Sequence, residues 1–133
     1  MQRLNECLNT IKLVDSQMEN AQDSIKKMVT KEGKMIADSI KILQRMYAFP
    51  PSTKGIQRDP MALNSVISSA SRYIGGSKGI PGDNVMNAVA FARKEIDRVV
   101  NIINDFSDTE WKKYQKLAED NQPSIFKDYK RIE

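Results

Sequence analysis

The spacing of the apolar residues constrains the fold of this chain more than any other feature. Apolar side chains recur every three or four residues from the start, at Leu4, Leu8, Ile11, Val14, Met18, Ala21, Ile25 and Met28. This alternation lines one face of an α-helix, whereas a half-buried strand would alternate with a period of two. A length of 133 residues suits one domain with a single core. We therefore expect one all-α domain.

Capping and helix-breaking residues divide this pattern into three helices before the glycine-rich turn. Asn20 is a suitable N-cap, so a break is expected near residues 18–22, although the stripe also fits one continuous helix. The run Phe49-Pro50-Pro51 ends the second helix, because prolines lack amide donors and push the preceding residue out of the α region. Asp59-Pro60 begins the third helix, and Gly75-Gly76 supplies a left-handed stop.

The fourth helix follows the turn, with Asp83 as its cap. Its apolar stripe consists of Val85, Val89, Ala92, Ile96, Val99, Ile103 and Phe106. The next apolar anchors, Trp111 and Tyr114, are out of register with that stripe, and Ser107-Asp108-Thr109-Glu110 has the form of a capping box. We expect a kink or stutter there. The predicted helices span residues 3–18, 21–48, 60–74 and 83–118.

Four amphipathic helices with short connections predict an up-and-down antiparallel four-helix bundle. The tail, residues 121–133, carries apolar residues without a sustained helical pattern. We expect it to run in extended form along a groove between helices, because exposed apolar groups are costly in water.

The composition excludes several classes of catalytic site. The chain has no histidine and a single cysteine, Cys7. Ser-His-Asp hydrolysis, Cys-His hydrolysis and histidine-bound zinc therefore have no residues to carry them. Cys7 has no base near it in the sequence and is expected to be a structural thiol. We predict no catalytic residue, no cofactor and no metal site.

Charge and hydropathy limit the partners. No apolar run reaches the length of a membrane span, and the polar start does not resemble a signal peptide. The net charge of +4 is spread along the chain, and Lys26-Lys27 and Lys112-Lys113 are isolated pairs. We expect neither a membrane nor a nucleic acid as partner. The alternative is a stand-alone helical regulator that binds nucleic acid or an acidic protein through these four lysines.

Two further patterns suggest chemistry, but each has a better structural explanation. The stretch Gly75–Gly82 follows a helix and lacks the order of a phosphate-binding loop, so it is interpreted as a turn. The pairs Glu95 with Asp97 and Asp105 with Asp108 are expected to be solvated or to cap helices. Glycosidase chemistry would need two carboxylates that face each other across a pocket.

Large apolar side chains are assigned first to the core. The methionines that fall on the stripes are expected there, namely Met18, Met28, Met35 and Met46. The aromatic residues are also expected to be at least partly buried. Those left exposed would stack on a sugar ring or a protein, and the candidate docking surface consists of Tyr73, Trp111, Tyr114, Phe126 and Tyr129.

The order of several motifs resembles a known family. The motifs are Lys54-Gly55-Ile56-Gln57-Arg58-Asp59-Pro60, Ala70-Ser71-Arg72-Tyr73-Ile74-Gly75-Gly76-Ser77-Lys78-Gly79-Ile80-Pro81-Gly82, Asn104-Asp105-Phe106 with Glu110-Trp111, and Phe126-Lys127-Asp128-Tyr129. Together they resemble the helical C-terminal domain of bacterial proteins with sortilin-like, BNR-repeat β-propellers, often labelled glycosyl hydrolases. Residues 54–133 carry the resemblance, and none of the motifs is a catalytic signature.

The resemblance implies that the chain is a fragment of a larger parent protein, exported to the periplasm, the outer surface or the medium by Bacteroidetes-like bacteria. It implies a non-catalytic accessory domain that packs against the propeller domains of the same parent and supports their binding of a glycan or a protein. A hydrolase activity would belong to the propellers. This expectation rests on analogy with a fold family, because no active-site residue of the family maps onto the chain.

Overall fold

The computed structural model describes residues 1–48, 61–76, 78–79 and 82–123. Its helices are α1 (Gln2–Gln17), α2 (Asp23–Tyr47), α3 (Leu63–Gly76), α4 (Asp83–Phe106) and α5 (Lys112–Asp120). A π-helix, Ser107–Trp111, joins α4 to α5 without a break, so the described residues form four helices and no strand. The helices pack as a helical bundle, which confirms the all-α prediction. None of the described helices is long and apolar enough to cross a membrane.

Some predicted boundaries lie outside the described residues. These are the helix end at Phe49-Pro50-Pro51, the start at Asp59-Pro60 and the tail from residue 124 onward. Within the described chain, α3 ends at Gly76, two residues later than predicted, and the prediction of a left-handed backbone at Gly75-Gly76 is wrong. The glycine with a left-handed backbone is Gly79, at φ +90°.

The helices α1 and α2 form an antiparallel pair. A 3₁₀ turn at Met18–Asn20 ends α1, and Gln22 precedes the first residue of α2. The Nε2 atom of Gln44 donates a hydrogen bond of 2.8 Å to Oδ1 of Asn5, which joins the end of α2 to the start of α1. Nearer the turn, Gly33 lies against Ile11.

The main core joins α1, α2 and the α4–α5 helix. Its buried residues are Leu4, Cys7, Ile11, Met18, Val29, Ile36, Ile40, Leu43, Phe106 and Tyr114. The predicted core methionines Met28 and Met35 are instead exposed, at 44% and 54%. The buried positions are their neighbours Val29 and Ile36, because the packing of α1 and α5 sets the inward direction of α2 one residue further round its axis.

The π-helix at Ser107–Trp111 replaces the predicted capping box, which is wrong. No side-chain cap forms there, and the Ser107 hydroxyl instead donates to the Ile103 carbonyl oxygen at 2.8 Å. Eight residues of α-helix would turn Tyr114 about 80° away from Phe106. The extra residue that a π-turn accommodates reduces the total rotation by about 100°, which leaves Tyr114 only about 20° from the direction of Phe106. Both side chains therefore face the main core, and the register slip in the sequence needs no break in the helix.

A second, smaller core lies between α3 and α4 and consists of Val66, Ala70 and Ala92. Val66 precedes the end of α3 by ten residues and Ala92 follows the start of α4 by nine, so the two helices run antiparallel. Most of the contacts of α3 are with α4, and fewer are with α2. We call α3 and α4 together the hairpin.

Deletion of Thr109, an exposed residue of the π-helix, should be tolerated. Phe106 and Tyr114 would then be seven residues apart, and an ordinary α-helix would keep both in the main core. We expect a cooperative urea transition close to that of the wild type. Deletion of the exposed Asn101 inside α4 is the control. It rotates the two parts of α4 by about 100° against each other and should abolish cooperative unfolding. Equal damage from the two deletions would contradict this account of the π-helix.

Candidate functional site

The structure divides the predicted aromatic docking surface. Tyr73 is 55% exposed near the end of α3, whereas Trp111 is half-buried. Tyr114 is 1% exposed, so it is not part of a surface, and this element of the prediction is wrong. The rings of Trp111 and Tyr114 lie together, with centroids 5.7 Å apart. Phe126 and Tyr129 lie outside the described residues.

Tyr114 is buried because α2 has a glycine opposite it. A Cβ atom on Gly33 would lie 3.1 Å from the phenol oxygen of Tyr114 and 3.3 Å from Cγ2 of Ile11. Such distances are tighter than ordinary van der Waals contact. Gly33 therefore provides the space in which the phenol ring packs, a role that its helical context in the sequence did not reveal.

Asp15 and Tyr114 each carry a buried side-chain oxygen. Asp15 Oδ1 and the Tyr114 hydroxyl oxygen are the buried side-chain oxygens that have no hydrogen-bond partner in the described part of the chain. Burial raises the pKa of Tyr114 to about 12, and the negative charge of Asp15 acts in the same direction. Burial also raises the pKa of Asp15, and a hydrogen bond from Thr30 opposes that rise. Because Tyr114 is enclosed, a substrate has no access to its hydroxyl. We therefore interpret Tyr114 as a packing residue.

Glu95 differs from the prediction of a solvated carboxylate. It is 9% exposed on the buried side of α4. Arg98, one turn later, donates two hydrogen bonds to Glu95 Oε2, from Nε at 3.0 Å and from Nη2 at 2.9 Å. The two charge-assisted hydrogen bonds from the guanidinium offset the free energy that burial of the carboxylate costs.

The other ion pairs join residues on one helix. Lys41 pairs with Asp38 at 3.1 Å, and Lys112 pairs with Asp108 at the same distance. Because all four side chains are more than half exposed, these pairs stabilise little. The described residues contain no cluster of three acidic, cysteine or histidine side chains that could hold a metal ion.

Cys7 is buried in the main core. Burial raises the pKa of its thiol, Glu6 adds to the rise, and Arg3 opposes it. A protonated thiol is a poor nucleophile, so the position suits a packing role. Leu8, the core position predicted beside it, is only half-buried.

The described chain has several open surfaces. One is a groove of about 450 Å³ between α1 and α5, whose lining includes Leu13, Val14 and Trp111. A smaller depression is lined by Ser69, Arg72 and Tyr73. Another is the side of the hairpin formed by Ile67, Ile74, Met86, Val89, Ile96 and Val100, which we call the outer face. Eight of the fourteen exposed large apolar residues of the described chain lie at 61–106 on or beside the hairpin.

The outer face is one continuous surface because of helix geometry. Ile67 directly follows buried Val66, and Met86 and Val100 directly follow buried Val85 and Val99. The residue after a core position lies about 100° further round a helix. In an antiparallel pair of right-handed helices this rotation brings both sets of residues to the same side. The two helices therefore present one apolar face, with a depression of about 550 Å³ beside Met86 and Val89.

The sequence contains a signal for this face, which the single-stripe interpretation missed. Val89 and Ile96 were predicted to be core residues, yet Val89 is half-buried and Ile96 is 37% exposed. A helix that packs on one neighbouring helix buries one apolar stripe. Since α4 carries two adjacent stripes, the second one is the sequence signal for the outer face.

Substitution of Gly33 by Ala should destabilise the chain by about 1–2 kcal/mol, although alanine favours helix by about 1 kcal/mol, because overpacking costs more. In a Tyr114→Phe background the cost should fall by at least half, since the nearest atom is removed. Gly75→Ala, at a helical glycine with open space around it, is the control and should be neutral or stabilising. Urea denaturation of the wild type, the two single variants Gly33→Ala and Tyr114→Phe, and the double variant measures the coupling between the two positions. Equal costs of Gly33→Ala in both backgrounds would contradict the contact.

The free energy of unfolding should fall as the pH rises from 10 to about 12. The native phenol of Tyr114 stays protonated to a pKa of about 12, whereas the unfolded one ionises near 10, so the native state holds more protons in this range. The difference in stability between wild type and Tyr114→Phe should therefore shift in favour of the variant above about pH 10. A difference that stays constant through this range would show that Tyr114 titrates normally in the folded protein.

Comparisons with known protein families, with curated proteins and with solved structures find no match to this chain. The resemblance to the C-terminal domain of propeller proteins therefore remains a prediction from the sequence motifs.

Proposed function

We propose that this chain is a non-catalytic helical domain that binds another protein chain through the outer face of the hairpin. The observation that carries the proposal is the exposure of five apolar side chains, beside the half-buried Val89, on one side of two packed helices. Met86 is 59% exposed and Ile74 is 53% exposed. Both belong to apolar stripes of regular helical spacing, a pattern that ordinarily indicates a buried helix face. Contiguous apolar surface of this kind is characteristic of contact sites.

The arrangement of polar groups supports a role without catalysis. The carboxylate of Glu95 forms a salt bridge with Arg98, and that of Asp108 forms one with Lys112. Of the two unpartnered oxygens, that of Tyr114 lies in the packed core, and Oδ1 of Asp15 is buried as well. A catalytic site needs acidic, basic or nucleophilic groups within reach of one bound substrate.

The broader predictions stand beside this proposal without support from the comparisons. They are an exported propeller parent, often labelled a glycosyl hydrolase, whose propeller domains contact this chain, and an up-and-down bundle with the tail in a groove. The surface proposed here is compatible with such a parent, since an accessory domain also needs a contact face.

The alternative is binding of nucleic acid or an acidic protein through Lys26, Lys27, Lys112 and Lys113. The pairing of Lys112 with Asp108 at 3.1 Å reduces the positive charge of this set. Binding to a DNA duplex that weakens steeply with salt would favour the alternative, and absence of binding at low salt would remove it.

Site-specific photo-crosslinking tests the proposed function. A photoreactive phenylalanine derivative is placed at Ile96 on the outer face, or at Ile42 on α2 as a control, in cells that produce the chain. Ile42 is the same residue type and is 57% exposed, but it lies outside the outer face. We expect a discrete crosslinked protein from position 96 and none from position 42.

Two results would contradict the proposal. The first is equal crosslinking at positions 96 and 42, or none at position 96. The second is hydrolysis of a glycoside panel by the purified chain that disappears in Asp108→Ala or Glu110→Ala.

A further inference from the structure

We propose that the outer face binds a second copy of this chain, so that two hairpins pack in an antiparallel contact with two-fold symmetry. The inference rests on the proposed function and names the partner of that surface. In this contact the α4 helices of the two copies lie against each other, and each α3 lies beside the helix pair.

Two seams run along α4, one of them apolar and the other apolar except for Arg93. Val85, Ala92 and Val99 form the buried seam, which includes the contact with α3. One residue further on, Met86, Val89, Arg93, Ile96 and Val100 are spaced by three, four, three and four residues. This is the a/d repeat of a coiled coil, in which a second helix covers the seam. Among the described residues no helix does so, since Met86 and Val100 are 59% and 46% exposed.

The seam from Met86 to Val100 is complementary to itself. Val89 and Val100, and likewise Arg93 and Ile96, lie at equal distances on either side of the point between Lys94 and Glu95. An antiparallel pair centred on that point therefore places Val89 opposite Val100 of the second copy, and Arg93 opposite Ile96, the residue before Asp97. A two-fold contact requires this property, because both copies contribute the same residues.

The hairpin carries little net charge. Residues 61–106 contain five basic and four acidic residues, a net charge of +1, whereas the whole chain carries +4. Two copies therefore meet with little repulsion. The salt bridges of the described residues include neither Arg93, which lies within this seam, nor Asp97, which lies beside it. The antiparallel contact brings Arg93 of one copy within reach of Asp97 of the other, and a charged residue at one such position fixes the register.

The length of α4 suits a contact of this kind. Its 24 residues extend for about 36 Å, of which Met86 to Val100 span about 21 Å. Ile67 and Ile74 widen the seam on the α3 side. Stable protein contacts of standard size bury about 800 Å² on each partner, an area that a face of two helices supplies more readily than one isolated helix.

Analytical ultracentrifugation of the purified full chain tests the proposal. We expect the wild type to dimerise in the micromolar range and Ile96→Lys to remain monomeric at high micromolar concentration. Ile42→Lys is the matched control and should dimerise like the wild type. Circular dichroism melts check that both variants remain folded.

A charge reversal tests the register. Arg93→Asp should weaken dimerisation by about tenfold or more, because Asp of one copy then meets Asp97 of the other. Adding Asp97→Arg to the same chain should restore the dissociation constant to within about threefold of the wild type. A purely structural effect of Arg93→Asp would not be rescued by the second change.

The outcomes separate this inference from the proposed function. A wild type that is monomeric at high micromolar concentration, with position 96 crosslinked to a different protein, overturns the dimer and keeps the proposed function. A monomer whose position 96 crosslinks only to its own residues 124–133 overturns both. A dimer that survives Ile96→Lys, or a reversal without rescue, overturns the antiparallel contact described here.

Discussion

The contact between Tyr114 and Gly33 is the constraint on which the main core depends. Tyr114 is the largest side chain that is almost fully buried, and it occupies space that a Cβ atom at position 33 would fill. The contact fixes α5 against α2, and Ile11 of α1 closes the same site. Tyr114 reaches it because the π-helix at Ser107–Trp111 corrects the rotation of the helix after Phe106. The absence of a side chain at Gly33 and the extra residue of the π-helix are thus both needed to bury Tyr114 in the main core.

The long α4–α5 helix lies in two different environments. Toward its C-terminus it contributes Phe106 and Tyr114 to the main core, together with α1 and α2. Toward its N-terminus it packs on α3 through a core of small side chains, including Ala70 and Ala92. Two helices alone share one seam, so large apolar side chains on the flanks of the hairpin stay exposed. This geometry favours a contact surface over a catalytic cleft as the functional part of the described chain.

The charged groups contribute little to this arrangement. The salt bridges of the described residues join side chains three or four positions apart, so they support single helices and do not connect different ones. Glu95 illustrates the rule, because Arg98 on the same helix satisfies it where α4 turns toward the core. Tertiary structure is therefore held by apolar packing, and association through the outer face would extend the same type of interaction to a second chain.

The sequence by itself determined that the chain is helical and where its register slips, because the spacing of apolar residues follows the helical period whatever the neighbours are. Tertiary structure decided which side of each helix is buried. Val29 replaces Met28 in the core, Cys7 is more buried than Leu8, and the slip after Phe106 becomes a π-helix instead of a cap. It also left one of the two seams of α4 uncovered. These outcomes depend on the packing direction of partner helices, which a periodicity within one helix does not contain.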